Sequence, residues 1–473
     1  MEVVPAEILC YLSEFMNQVD KSCFICSFNK KIRETIIDSS YKFKISGNHN
    51  FELSLINKLI WINSVSINFE EELDELSKLN NVNFDELVFE IPIKNKITIP
   101  NGIKKLIFKK TVEPHIVIPQ SVATVELYNK FNPEIINIPT IKSVRITNND
   151  EVIIPDNVEE LILEWCCRFG KKFKLPSDIK KFYMNPSFNT KIEFPHGIKE
   201  IRFGNDYSHD TKIPSTVEIL HFESNVNPSD NIPNSVKKLS FGQHYNKHTT
   251  VPFGVEVLTL GHAFNTSISI PNSVKKLYLS TMFNQNITLP DSVEIVSFGS
   301  NFNLPVTIPN SVKELELNYY FNQDIILPNS IKKLTLGYNF NRNIILPDSL
   351  EELNFSNQFD ENQFNQQIKL PKNLKKIKFG HAFNQPIELP DGIKEVTFGR
   401  YFNQPIKIPD SVEKLIFKQS FNQSINIPQS VKNLTLHHNY DKLIKLPEHM
   451  DFLIIPNKYK YKINSKIKQI QFI

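Results

Sequence analysis

The chain has 473 residues, 40% of them hydrophobic, and a formal net charge of +3. So balanced a charge excludes a global electrostatic grip on nucleic acid or on an anionic membrane surface. Five cysteines, odd and sparse, exclude a disulfide framework; the N-terminus carries no basic-plus-apolar leader, and no apolar run reaches membrane-spanning length. The expectation is a soluble intracellular protein.

Residues 1–45 lack the pattern that governs the rest of the chain. Pro5 stands near the first position of a predicted helix, where a missing N–H costs nothing. Ile8, Leu9, Leu12, Phe15 and Met16 then fall on one face at helical spacing. Asp20 is a natural N-cap for a second helix over Lys21 to Phe28, and Asn29 for a third through Ile37. Three short helices bury too little surface to stand alone comfortably, so this module needs a neighbour or a partner. Residues 46–60 read as a linker, with turn-prone Ser46-Gly47-Asn48. Val65 and Ile67 open the first strand, and Glu70 to Leu79 reads as a short acidic helix before the next strand at Leu87 and Phe89.

From there to residue 456 one sentence repeats. Pro176 through Pro347 recur every nineteen residues, the step to Pro371 is twenty-four, and Pro390, Pro409, Pro428 and Pro447 resume the nineteen. Phe264, Phe283, Phe302, Phe321 and Phe340 keep the same step, each followed by asparagine. A period of this size is the signature of a solenoid, in which each copy is one winding. After each proline, Asn-Ser or Asp-Ser forms a turn, because short polar side chains bond their own backbone. The following V-K-K-L-x-F places an apolar residue at every second position, a short strand with one face buried.

A glycine often closes that strand (Gly242, Gly261, Gly299, Gly337, Gly380, Gly399), which suggests positive φ at the corner. The return leg, I-x-I/L-P, is extended but unsuited to a central strand, since proline donates no ladder bond. Nineteen residues leave little room for a helix. The expected fold is therefore mainly β: a leucine-rich-repeat-like, short-repeat parallel β-solenoid of about 22 right-handed coils over residues 61–456, with residues 457–473 as a closing strand and cap. The excess residues near Gln358–Asn362 are expected to bulge as a loop.

The asparagines after phenylalanine predict a ladder of amide bonds to backbone at one corner. Alternating charges one turn apart predict ion-pair ladders: Glu218, Lys237, Glu256, Lys275, Glu294 and Lys313 in one row, Lys333, Glu352, Lys376, Glu395 and Lys414 in its neighbour. Cys23 and Cys26 have the spacing of half a zinc site, but no second Cys or His pair stands at ligand spacing, and packing explains them. Cys166 and Cys167 beside Trp165 read as core. No phosphate loop, nucleophile elbow, metalloprotease motif or singled-out carboxylate pair is present. The expectation is a non-enzyme without cofactor or metal. Outward strand residues vary between copies, and Tyr183, His221, Tyr278, Asn354 and Lys378 are the candidate partner-binding face.

P-A-E-I-L-x-x-L-x-x-F-M, then Asp20 and F-I-C-S-F-N-K-K-I-R, resembles an F-box, although the tryptophan common near the end of that motif is absent. F-N-Q-P-I-x-I-P-x-S-V-K-K-L is similar to the FNIP repeat. Together they resemble the F-box and FNIP repeat-containing proteins of social amoebae and of giant viruses of amoebae. The resemblance implies that Pro5, Glu7, Ile8, Leu12, Phe15, Met16 and Asp20 dock a Skp-family adaptor and, through it, a cullin–RING ligase. The solenoid would then hold a protein substrate for ubiquitination, without nucleic acid or membrane, in the cytoplasm (the host's, for a viral member). The alternative is a protein-binding scaffold or decoy in which the N-terminal helices only cap the coils.

Overall fold

Each winding begins at its proline. The N–H of Val274 donates to the carbonyl of Pro271 (3.1 Å), that of Val293 to Pro290 (3.2 Å) and that of Val412 to Pro409 (3.2 Å), closing a tight turn over the Asn-Ser or Asp-Ser pair. The chain then runs directly into a strand of three or four residues. This computed structural model describes residues 43–45 and 62–473, less 69, 71–72, 74–75, 77–81, 83–84, 114–115, 132, 148–152, 165–172, 224–231, 356–361 and 464–465. The F-box-like positions, both cysteine pairs and most of the expected loop near Gln358 therefore lie outside the described residues.

The chain divides into two compact units, Met1–Asn227 and Pro228–Ile473. In the first, parallel strands follow one another in sequence order from Phe43–Ile45 and Ile62–Ile67 through Glu86–Phe89 and Lys105–Phe108 to Ile219–Phe222. A second, two-stranded parallel ladder, Ile97–Thr98 with Ile116–Val117, forms on the return side, and residues Pro133–Ile136 make one 3-10 turn. In the second unit the strands run from Lys238–Phe241 to Asn433–Thr435, then His449–Ile455 and Lys466–Phe472, again parallel and in order. Among the described residues its return legs carry no strand, as the prolines require.

Register is strict. Leu258 pairs with Leu277, Leu277 with Val296, Val296 with Leu315 and Leu315 with Leu334, so like stacks on like. Even across the longer step, Asn354 pairs with Lys378, and the extra residues do not shift the sheet. About 19 turns carry the repeat. They run from Glu86–Phe89 to Asn433–Thr435, fewer than the expected 22 coils. The difference lies at the ends: Ile62–Ile67 has six residues and the last two strands have seven each, longer than the repeat strand. Phe43–Ile45, expected within the helical module, is a strand paired with Ile62–Ile67. At the expected acidic helix, the described positions Glu70, Leu73 and Leu76 have helical backbone, and both leucines are buried.

The core consists of rows, one residue per winding. The turn row Val274, Val293, Val312, Ile331 and Leu350 is fully buried, as is the strand row of Leu258, Leu277 and Val296. Burying each such side chain contributes about 1.5–3 kcal/mol, but only once the next winding covers it. The corner phenylalanines make a continuous stack. Phe264, Phe283, Phe302, Phe321 and Phe340 follow at 6.2–6.5 Å, and Phe383, Phe402, Phe421 and Tyr440 at 6.0–6.2 Å. At the Tyr245 corner the hydroxyl meets Thr249 Oγ1 at 2.5 Å, whereas the buried hydroxyl of Tyr440 has no hydrogen-bond partner.

The expected amide ladder runs through the second unit. Asn265 Oδ1 accepts from the N–H of Asn284 (2.9 Å), Asn284 from Asn303 (3.1 Å), Asn303 from Asn322 (2.9 Å) and Asn322 from Asn341 (3.1 Å). The role read for the glycines is corrected. Among the described glycines only Gly102 and Gly197 have positive φ, both in the turn after the proline. The strand-closing glycines are there for room. A Cβ on Gly261 would strike the carbonyl of Gly242, on Gly299 that of Ser280 and on Gly337 that of Asn318. Asn362, expected in a bulging loop, is instead buried and donates from Nδ2 to the carbonyls of Leu336 and Gly337.

Candidate protein-interaction face

The residue between the two inward apolar positions of each repeat, such as Tyr278 between Leu277 and Leu279, lies on the outer side of the strand, and parallel register aligns these residues into one row per unit. All five candidates fall on such a row. In the first unit Tyr183 pairs with Arg202, and Arg202 with His221. In the second, Thr259, Tyr278 and Ser297 are consecutive, as are Thr335, Asn354, Lys378 and Thr397. Tyr278 is exposed; the other four are half-buried.

The two rows differ in chemistry. The first opens with Val88 and Ile107, both buried, and then becomes ionic. Glu126 sits among cations: Lys105 Nζ lies 2.8 Å away, Arg145 Nε 3.6 Å, and the Tyr128 hydroxyl donates to it at 2.9 Å. Arg145 also pairs with Glu164. Burial opposes the ammonium form of Lys105, yet the bonds and charges of Glu126 and Glu86 outweigh it and hold its pKa above the ordinary value. Burial, then the Glu126 carboxylate, raises the pKa of the Tyr128 phenol. Burial followed by Glu200 does the same for Tyr183.

Further along, Glu223 accepts from His221 Nε2 (3.0 Å) and Arg202 Nη2 (2.9 Å). The His221 bond, with the Arg202 bond behind it, outweighs partial burial and brings the Glu223 carboxyl from 4.5 down to about 2. The row in the second unit is mostly small and hydroxylic, with Ser297 Oγ donating to Glu316 at 2.7 Å. Sequence reading sampled this row at five positions and missed Glu126, Arg145 and Arg202. The nineteen-residue step that links Glu126 to Arg145 and Arg202 to His221 was the available signal.

Both faces offer side chains, while the backbone groups of the strands are used up between windings. That arrangement suits complementarity of shape and charge with a partner surface. Among the described residues no group of three or more His, Cys, Asp or Glu is placed to hold a metal ion, and no helix is long and apolar enough to cross a membrane. His437 and His438 meet edge to face at 4.0 Å, and burial, then the charge of His438, lowers the His437 pKa. In the lysine-rich tail, Lys468 is tied to Asp451 at 2.7 Å.

Comparison with known families matches residues 283–320, 321–358, 364–401, 383–420 and 402–437 to the FNIP repeat, all within the second unit. No curated protein matches the chain. Among solved structures, CroV588, a novel circular LRR protein, is 23% identical, with 91% of this chain and 84% of that one covered and a TM-score of 0.50. TLR13 in its complex with ssRNA13 is 11% identical (84% and 75% covered, TM-score 0.49). YopM from Yersinia enterocolitica is 13% identical (85% and 93% covered, TM-score 0.35). The CroV588 likeness speaks for an LRR-like fold and for nothing beyond it.

Proposed function

We propose that the solenoid is a non-catalytic protein-binding scaffold, and that it serves as the substrate-recognition arm of a Skp–cullin–F-box type ubiquitin ligase. The observation that carries the scaffold reading is the outward strand row. Side chains there change identity from winding to winding while the inward rows stay apolar, so a partner can be read without disturbing the core. The ligase reading rests on the F-box-like run Pro5, Glu7, Ile8, Leu12, Phe15, Met16 and Asp20 preceding FNIP repeats in one chain. The protein would make and break no bond of its own; it would raise the effective concentration of a substrate beside the ligase.

Ile8→Asp combined with Leu12→Asp tests the docking role. Pull-down of the Skp-family adaptor should be lost while the β-rich circular dichroism and melting of the solenoid are kept. Undiminished adaptor recovery would reject it. In the second reading, a scaffold or decoy, residues 1–45 only cap the windings. Deleting them would then bring melting or aggregation, whereas the ligase reading expects a stable solenoid blind to the adaptor.

A further inference from the structure

Two residues ahead of the inward strand row of the second unit runs a charged row, with one member on each winding. Its members are Lys237, Glu256, Lys275, Glu294, Lys313, Lys332, Glu351, Lys375, Lys394, Glu413, Lys432 and Asp451. Backbone bonds hold these in register: the N–H of Lys332 donates to Lys313 O (2.8 Å), Glu351 to Lys332 (2.9 Å), Lys375 to Glu351 (2.8 Å) and Lys394 to Lys375 (2.7 Å). Where signs alternate, the side chains pair. Glu351 takes Lys375 at 2.6 Å and Lys332 at 3.4 Å; Glu413 takes Lys394 at 2.9 Å and Lys432 at 3.6 Å; Lys313 reaches Glu294 at 2.7 Å.

The alternation breaks twice, between Lys313 and Lys332 and between Lys375 and Lys394. At each break two ammoniums stand on adjacent windings with no carboxylate between them. Each leans toward a glutamate on its far side. All four lysine side chains are more than half exposed, at 54%, 59%, 59% and 51% in chain order. The first break borders a groove of about 560 Å³, lined around the two lysines by Asn310, Ser311, Asn329 and Ser330, with Asp291 and Glu294 on the winding before. The row therefore lacks one anion at each of two places.

We propose that these two gaps are docking points for an acidic segment of a partner protein, bound extended across the windings with two carboxylates four residues apart. The spacing follows from the fold. The gap centres are three windings apart, about 14 Å at the parallel-strand spacing, and four residues of extended chain span about 13–14 Å with both side chains on one side. A polynucleotide fits worse, because its continuous negative charge would face Glu351 midway between the gaps. This inference builds on the scaffold reading but uses none of the outward strand residues, so the two fail separately.

The test is binding of the full chain to synthetic peptides of about twelve residues, enough to cover both gaps in extended form. Each peptide has a Ser/Thr/Val background and two glutamates placed two, four or six apart. The four-residue spacing should bind best, and added salt should weaken it. Lys332→Glu with Lys394→Glu, checked by melting temperature for a preserved fold, should cost about tenfold or more in Kd. Tyr278→Ala should leave peptide binding unchanged. Affinity indifferent to spacing, undiminished binding by the double variant, no peptide binding at millimolar concentration, or tighter binding of single-stranded nucleic acid of equal charge would each overturn the proposal.

Discussion

Asn303 Oδ1 accepts a hydrogen bond of 2.9 Å from the backbone N–H of Asn322, its counterpart one winding later. The same oxygen takes the Gln323 side-chain amide at 3.2 Å. The side chain of one repeat thus satisfies the backbone of the next. Asn303→Ala should leave that N–H unpaired and cost about 1–2 kcal/mol, seen as a lower denaturant midpoint. Asn303→Asp keeps the acceptor and should cost less.

Phe321 stacks between Phe302 and Phe340 at 6.2 and 6.3 Å and is fully buried. Phe321→Ala should cost about 3–5 kcal/mol, and Phe321→Leu less, because the cavity is smaller. Each winding covers its neighbours, so the loss should appear as a cooperative fall in the unfolding midpoint of the second unit. A broad, unchanged midpoint would contradict the stack's structural weight.

The glycines separate two causes. Gly299 has ordinary φ, but an added Cβ would meet the Ser280 carbonyl, so Gly299→Ala must push two windings apart, at about 1–3 kcal/mol. Gly197 has open space, its nearest neighbour being Lys180 Nζ at 3.7 Å, but its φ is +114°, so Gly197→Ala is penalised by backbone conformation alone, at about 1 kcal/mol. Urea titration of both variants should rank Gly299 as the costlier.

Glu223 should make the first unit acid-sensitive. Its carboxyl is depressed in the folded state, so its contribution is fully present above the ordinary value of 4.5 and fades as pH falls toward about 2. A shift of that size corresponds to about 3 kcal/mol. The stability difference between the native chain and Glu223→Gln should be constant above about pH 5 and shrink steadily below it. A difference that persists at pH 2 would show that packing, not ionisation, is what Gln disturbs.

Most of the fold is written locally. The V-K-K-L-x-F pattern marks each repeat strand, and proline with Asn-Ser marks each turn, because one winding contains both the signal and its consequence. What escaped reading comes from between windings. The strand-closing glycines answer to a carbonyl nineteen residues earlier, not to their own φ. Phe43–Ile45 is a strand only because Ile62–Ile67 lies alongside it. The ionic group of Glu126, Arg145, Arg202 and Glu223 emerges only when the row is followed across turns. The paired ladders of Lys275 with Glu256, Lys313 with Glu294 and Lys376 with Glu395 were legible because the partners share one repeat position.

Strict register also makes the protein's size a countable quantity. Excising residues 303–321 would join Phe302 to Asn322, the same pair of residue types that meets at Phe321–Asn322. Amide, ring and strand would find their usual neighbours. Gain or loss of whole modules by gene duplication or deletion could therefore lengthen or shorten the recognition surface in discrete steps, leaving the interior recipe untouched.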